Sequence, residues 1–150
     1  MRLCDLFTPE TVRLDLVSTT ADDVLAELVG LLRLDEEASD TLLRILRRRE
    51  ELGSTGVGRG IAIPHGRSLV VEAVRLAYGR CPAGIPYRAI DGRPVHHFFL
   101  IVAPPVEVSN QYLPVLGKIA QFGKDPDVPE RLNRLQTVEE FFALLDERGV

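Results

Sequence analysis

The chain has 150 residues, of which 45% are hydrophobic and 27% charged, and its formal net charge is −4. A chain of that length buries about two-thirds of its unfolded surface around one core, and the composition is that of a globular protein, so a single domain over residues 1–150 is expected. The acidic balance argues against nucleic acid as a partner, because phosphate neutralisation needs a basic surface; Cys4 and Cys81, without CxxC spacing, give neither a disulfide framework nor a thiolate metal site.

The N-terminal stretch MRLCDLFTPETVRLDL has no long apolar core, and no later run approaches the ~20 residues of a membrane span. No direct membrane insertion is expected, and the cytoplasm is the expected location. A first helix follows Thr20, which can cap it, with Asp23 three residues on. Val24, Leu25, Leu28, Leu31 and Leu32 form its apolar stripe. A second helix covers roughly Glu36 to Leu52, with Leu42, Leu43, Ile45, Leu46 and Leu52 facing inward and Gly53 at the C-terminal cap.

Runs rich in β-formers then take over. Gly60–Pro64, Val74–Arg80 and His97–Ala103 read as strands, and Tyr87–Ile90 as a shorter one, with a turn at IDGRP. Helices return at about Asn110–Phe122, at Pro129–Leu135, and at Val138–Glu147, where Thr137 and Glu140 make a capping box. Helices, then strands, then helices indicate helices covering a mixed sheet in an α/β or α+β domain. Segment order alone leaves the strand order open.

The segment GSTGVGRGIAIPHGR, Gly53 to Arg67, is the most unusual in the chain. Ile61 and Ile63 can face one side of a strand and Ala62 the other. Pro64 cannot donate to a ladder, so pairing is expected to end there. Gly66 relieves the Cβ constraint just beyond it. His65 is thereby placed at a strand end with one side open, and a neutral imidazole can form a covalent intermediate. A lone histidine in such a place is ordinarily a half-buried side chain bonded to backbone; its surroundings change the reading. Gly56, Gly58 and Gly60 let backbone approach a ligand and offer amides to an anion. Ser54 and Thr55 add hydroxyls, and Arg49 and Arg67 add cations. The GxGxG spacing is neither a Walker loop nor a dinucleotide fingerprint. A phosphoryl group is the anion expected near His65.

RREELGSTGVGRGIAIPHGR, Arg48 to Arg67, resembles the active-site signature of the EIIA domains of the bacterial phosphoenolpyruvate-dependent phosphotransferase system, mannitol/fructose class, which includes nitrogen-regulatory EIIA proteins. GIPYRAIDGRPVHHFFLIVAPP, YLPVLGKIAQF and TVEEFFALL resemble that family's turn and central strand, the next helix and the closing helix. The resemblance implies a single-layer mixed β-sheet flanked by α-helices on both sides. It also implies a phosphocarrier whose phosphoryl acceptor is His65, with Arg49 stabilising the phosphoryl group. Ser54, Thr55, Gly58, Gly60, Gly66 and Arg67 are the candidate phosphate-binding residues. The implied donor is the phosphohistidine of HPr or of its nitrogen-branch counterpart, and neither a metal nor an organic cofactor is called for.

One position departs from the family pattern. The family carries a second histidine at the start of the helix after the central strand, where this chain has NQYLPVL with Tyr112. Tyrosine keeps a hydrogen-bond donor but cannot become a cation near neutral pH, and charge-assisted bonds are roughly twice as strong as neutral ones. Pro114 requires that helix to begin near Gln111–Leu113. Either His65 is still phosphorylated, with Tyr112 or Arg67 supplying part of what the histidine gave, or the domain binds protein partners without efficient transfer. The absence of an attached EIIB or EIIC segment favours a nitrogen-regulatory role, passing phosphate to no onward acceptor. The transport alternative passes it to an EIIB cysteine. A hydrolase using His65 as a general base lacks a nucleophile and an oriented acid.

Three further features have plain readings. His96 and His97 are adjacent in a strand and point to opposite faces, so they do not share a metal ion. RILRRRE, Arg44 to Glu50, is a solvated helix face or a dock for an acidic partner. Phe98, Phe99, Phe141 and Phe142 build core, with one of each pair left towards the surface.

Overall fold

The computed structural model describes residues 2–150; Met1, the remaining residue of the expected single domain, lies outside the described residues. Two 3-10 turns, Leu3–Asp5 and Pro9–Thr11, lead into strand β1 (Val12–Arg13). Helices α1 (Ala21–Leu31) and α2 (Glu36–Glu51) follow. Strands β2 (Gly56–Gly58), β3 (Ile61–Ala62), β4 (His65–Arg67), β5 (Arg75–Ile85) and β6 (Val95–Ala103) come next. Helices α3 (Tyr112–Lys124), α4 (Val128–Asn133) and α5 (Val138–Glu147) close the chain.

Among the described residues the six strands form one mixed sheet in the order β1-β5-β6-β3-β2, with β4 also on β6. The sheet is covered on both faces, as expected. Leu25, Leu28, Leu42 and Leu46 of α1 and α2 pack on one face with Ala62, Ala77, Phe98 and Leu100. Val115, Ile119, Leu132, Phe141 and Leu144 of α3, α4 and α5 pack on the other with Ile61, Ile63, Tyr78 and Phe99. This double cover explains why both Phe98 and Phe99 are buried, where one was expected towards the surface; in the second pair Phe141 is buried and Phe142 only partly so. None of the described helices is long and apolar enough to cross a membrane.

The helix caps follow the sequence closely. The Thr20 hydroxyl accepts from the Asp23 amide at 3.1 Å, and Thr137 and Glu140 form the reciprocal capping box of α5. Leu52 departs from expectation: it is the C-cap of α2 and 82% exposed, because the helix ends at Glu51 and turns the next side chain out. Tyr87–Ile90 is not a strand. Pro86 lacks an amide, Arg88 adopts φ +52°, and Ile90 N–H donates to Gly56 O at 3.1 Å. Tyr87 instead packs edge-on against Phe98, 5.3 Å between ring centroids.

The Gly60–Pro64 strand is also redrawn. Ile61 and Ala62 pair in parallel with His97 and Phe98, and His65, Gly66 and Arg67 with Ile101, Val102 and Ala103. The offset is the same on both sides of Pro64, so pairing resumes after it instead of ending. Pro64 cannot donate, but its carbonyl accepts from Ile101 N–H at 2.9 Å, and Ile63 N–H turns the other way to Thr55 O at 3.0 Å. The proline interrupts the ladder without shifting it.

Candidate functional site

Alternation along β4 decides what meets what. His65 and Arg67 face the side of the sheet that carries α3, while Gly66 faces α2. A Cβ on Gly66 would lie 3.2 Å from Ile45 Cγ2 and 3.5 Å from Leu46 Cδ2, so its bare backbone lets α2 lie close to β4. Arg49 is one turn beyond Ile45 on the same helix face. The close packing at Gly66 thus brings the C-terminal end of α2 to the end of the sheet where His65 stands.

His65 is half-buried, and its Nδ1 lies 2.6 Å from the backbone carbonyl of Ile63. A carbonyl only accepts, so Nδ1 carries the proton and donates it. The other ring nitrogen, Nε2, keeps its lone pair. A backbone bond therefore selects the tautomer and leaves Nε2 as the nitrogen without the proton.

The ring of Tyr112, the first residue of α3, lies 5.9 Å from that of His65 and is tilted by 53°. The Arg67 guanidinium sits over the opposite partner of this pair, 4.5 Å from the Tyr112 ring centroid, a cation–π distance. Arg67 Nη1 also donates to Pro104 O at 2.7 Å and to Ser109 O at 3.4 Å. Burial raises the pKa of the Tyr112 phenol, while the charges of Arg67 and Arg49 oppose the rise. Tyr112 is a neutral hydroxyl within the field of two cations. The N-terminus of a 13-residue helix, whose dipole favours an anion, lies beside it.

The remaining candidates separate into two groups. Arg49 Nη1 donates to Gly53 O at 2.8 Å, which ties the guanidinium to the loop at the site. The Ser54 hydroxyl donates to Tyr87 O at 2.6 Å and accepts from Gly56 N–H at 3.0 Å. Thr55 is buried, and its hydroxyl and amide donate to the two Glu50 carboxylate oxygens at 2.6 and 2.9 Å. Both hydroxyl protons are thus committed to holding the loop. Gly58 and Gly60 are further away. With Arg59 they make the β2–β3 turn, at φ +95°, +57° and +77°. Ile61 pairs with His97 and His65 with Ile101, four residues or ~13 Å apart along β6. The structure does not bring these two glycines to the histidine; they answer the need of a tight hairpin, and the turn is fastened by Arg59 N–H donating to Asp91 Oδ2 at 2.9 Å.

Sequence reasoning missed the groups that fix the site: the Ile63 carbonyl, the Pro104 and Ser109 carbonyls, and Glu50. Three of the four are main-chain atoms, which carry no residue signature. Glu50 stands in the RREE run next to Arg49 and was legible there as an acid five residues before Thr55.

His96 and His97 point apart as expected. Tyr78 Oη lies 2.8 Å from Nδ1 of the buried His97, and His96 Nδ1 donates to Cys81 O at 3.1 Å. Burial, with help from His96 and Arg80, pushes the His97 pKa down to about 4. No group of three or more His, Cys, Asp and Glu residues able to hold a metal occurs among the described residues.

Residues 5–148 match the family model described as phosphoenolpyruvate-dependent sugar phosphotransferase system, EIIA 2. The chain is 30% identical to the nitrogen regulatory protein of Bradyrhizobium diazoefficiens, over 97% of this chain and 95% of that one. It is 27% identical to the fructose-specific EIIABC component of Bacillus subtilis over 98% of its own length, but spans only 23% of that much longer protein. Among solved structures, the nitrogen regulatory protein IIA-Ntr of Neisseria meningitidis superposes with a TM-score of 0.86 at 29% identity, covering 95% of this chain and 98% of that one.

Proposed function

Because the chain belongs to the EIIA 2 family of the phosphoenolpyruvate-dependent sugar phosphotransferase system, we propose that it is a cytoplasmic, single-domain phosphocarrier that accepts a phosphoryl group on His65. The observation that carries the reading is the bond from His65 Nδ1 to the Ile63 carbonyl, which leaves Nε2 as the nucleophile. The Nε2 lone pair forms the new N–P bond while the N–P bond of the donor's phosphohistidine breaks and returns its electron pair to the donor ring. Positive charge developing on the His65 ring is met at Nδ1–H by the Ile63 carbonyl. Negative charge on the phosphoryl oxygens is met by Arg49, by the Tyr112 hydroxyl and by the positive end of α3. Positioning and charge balance are sufficient for this exchange.

A protein donor must bring its own histidine to within bonding distance, and the rim suits it. Leu69, Val106, Val108 and Leu113 are exposed apolar residues at the His65 end of the sheet, Leu69 at 84% and Leu113 at 69%. They form a surface on which an HPr-like donor docks. The likeness to a nitrogen regulatory protein along nearly the whole of both chains supports a regulatory role. In that role, roughly two added negative charges at His65 change the interface offered to a protein target. The transport reading, with onward transfer to an EIIB cysteine, is favoured by the fructose-specific relative. Mixing the phosphorylated protein with a panel of EIIB domains separates the two: loss of phosphate to an EIIB supports transport, and retention supports regulation.

A further inference from the structure

We propose that Arg67 is a positioning residue that acts on phosphoryl transfer through Tyr112 and does not bind the phosphoryl group itself. The inference rests on the reading of His65 as the phosphoryl acceptor. Its ground is the way Arg67 is already engaged. Its guanidinium covers the Tyr112 ring at 4.5 Å, and its Nη1 is held by the carbonyls of Pro104 and Ser109. Those two residues bracket the loop between β6 and α3, so one side chain fastens the loop, the start of the helix and the tyrosine ring. Arg67 and His65 share a strand face two residues apart, and Tyr112 meets both from across the groove.

The arrangement answers the question posed by a tyrosine at this place. Tyr112 stands at the first turn of a helix to which Gln111 gives no side-chain cap, with its ring partly buried against the core. The guanidinium over the ring adds a contact from β4 to those that hold it. Its charge also polarises the phenol, so the hydroxyl donates more strongly while remaining neutral. Arg67 thus lends part of its charge to a donor that cannot carry one of its own. The groups facing Tyr112 are His65 and Arg67 from β4 and, electrostatically, Arg49 from α2.

A double-mutant cycle tests the assignment, using Arg67→Gln, Tyr112→Phe and the pair, each incubated with phosphorylated HPr and read by mass spectrometry for the initial rate of phosphate uptake. Arg67→Gln and Tyr112→Phe are each expected to slow uptake about tenfold, and the double variant to be no slower than Tyr112→Phe alone. Arg67→Lys, which keeps charge but loses the planar guanidinium over the ring, is expected to recover less than half of the loss. The near-ultraviolet circular dichroism is expected to change in Arg67→Gln, and not when the same substitution is made in Tyr112→Phe, while the far-ultraviolet spectrum stays the same. Multiplying losses in the double variant mean that Arg67 acts by a route other than Tyr112 and overturn the proposal, as does an Arg67→Gln protein that takes up phosphate at the parent rate. A parent protein that takes up no phosphate at all ends the reading of His65 instead, so the two failures are distinct.

Discussion

His65 Nδ1 and the carbonyl of Ile63, two residues upstream in the chain, are 2.6 Å apart. Pro64 lies between them, and its fixed φ holds the geometry that lets the side chain reach back over one residue. The bond defines which nitrogen is available. Phosphate is therefore expected on Nε2 and not on Nδ1. Nitrogen-15 NMR of the phosphorylated, labelled protein distinguishes the two isomers, and an Nδ1 adduct would contradict the role given to Ile63.

Replacing Tyr112 by histidine adds a group that is a cation below its unperturbed pKa of ~6.5 and neutral above it. Phosphorylation of Tyr112→His, relative to the parent at the same pH, is expected to rise at pH 6 and to fall back by pH 8. Phosphate uptake measured at both pH values checks this. A ratio that does not change with pH would show that a cation at position 112 contributes nothing.

Gly66 links the packing of α2 to the site. Gly66→Val places side-chain atoms into Ile45 and Leu46, already 3.2 and 3.5 Å from the position of a Cβ. The expected cost is about 1–3 kcal/mol of overpacking, together with slower phosphate uptake as Arg49 is displaced. Urea unfolding and uptake kinetics on the same preparation read both effects. A stability loss with unchanged uptake would separate Arg49 from the packing of α2.

These relationships were unevenly legible in the sequence. The caps of α1 and α5 and the apolar stripes of the helices are local, and local spacing reveals them. The two-residue strands β1 and β3 have no period to read, and β4 lay beyond a proline that argued for an end to pairing. Its continuation is set by β6, whose Ile101 N–H donates to the Pro64 carbonyl at 2.9 Å. The glycines were read correctly as sites of backbone freedom, but not as to where that freedom is used. Gly66 serves helix packing, while Gly58 and Gly60 serve a hairpin at the far end of the strand. Only register, which pairs Ile61 with His97 and His65 with Ile101, separates those places. Ser54 and Thr55 were legible as hydroxyls near the site, but the partners that engage them, Tyr87 O and Glu50, come from other segments.

His97 makes stability depend on pH. Its folded pKa of about 4 lies below the unfolded value of ~6.5. As pH falls through 6.5 the unfolded chain takes up a proton that the folded chain refuses until about pH 4. The stabilisation is therefore fully present above pH 6.5 and is lost between 6.5 and 4, to a total of about 3 kcal/mol. The His97 ring resonances are expected to stay unshifted from pH 7 to 5, with unfolding in urea occurring at lower concentration at pH 5 than at pH 7. A His97 resonance that titrates near 6.5 would remove the basis for this loss.

The central claim is that His65 carries phosphate, and phosphotransfer followed by mass spectrometry tests it most directly. Incubated with enzyme I, phosphoenolpyruvate and HPr, the protein is expected to gain one phosphate that is labile to acid and maps to His65. The gain is expected to vanish in His65→Ala, whose circular dichroism matches the parent. A parent protein that gains no acid-labile phosphate under conditions that label an established EIIA, or one whose label survives in His65→Ala, would contradict the account.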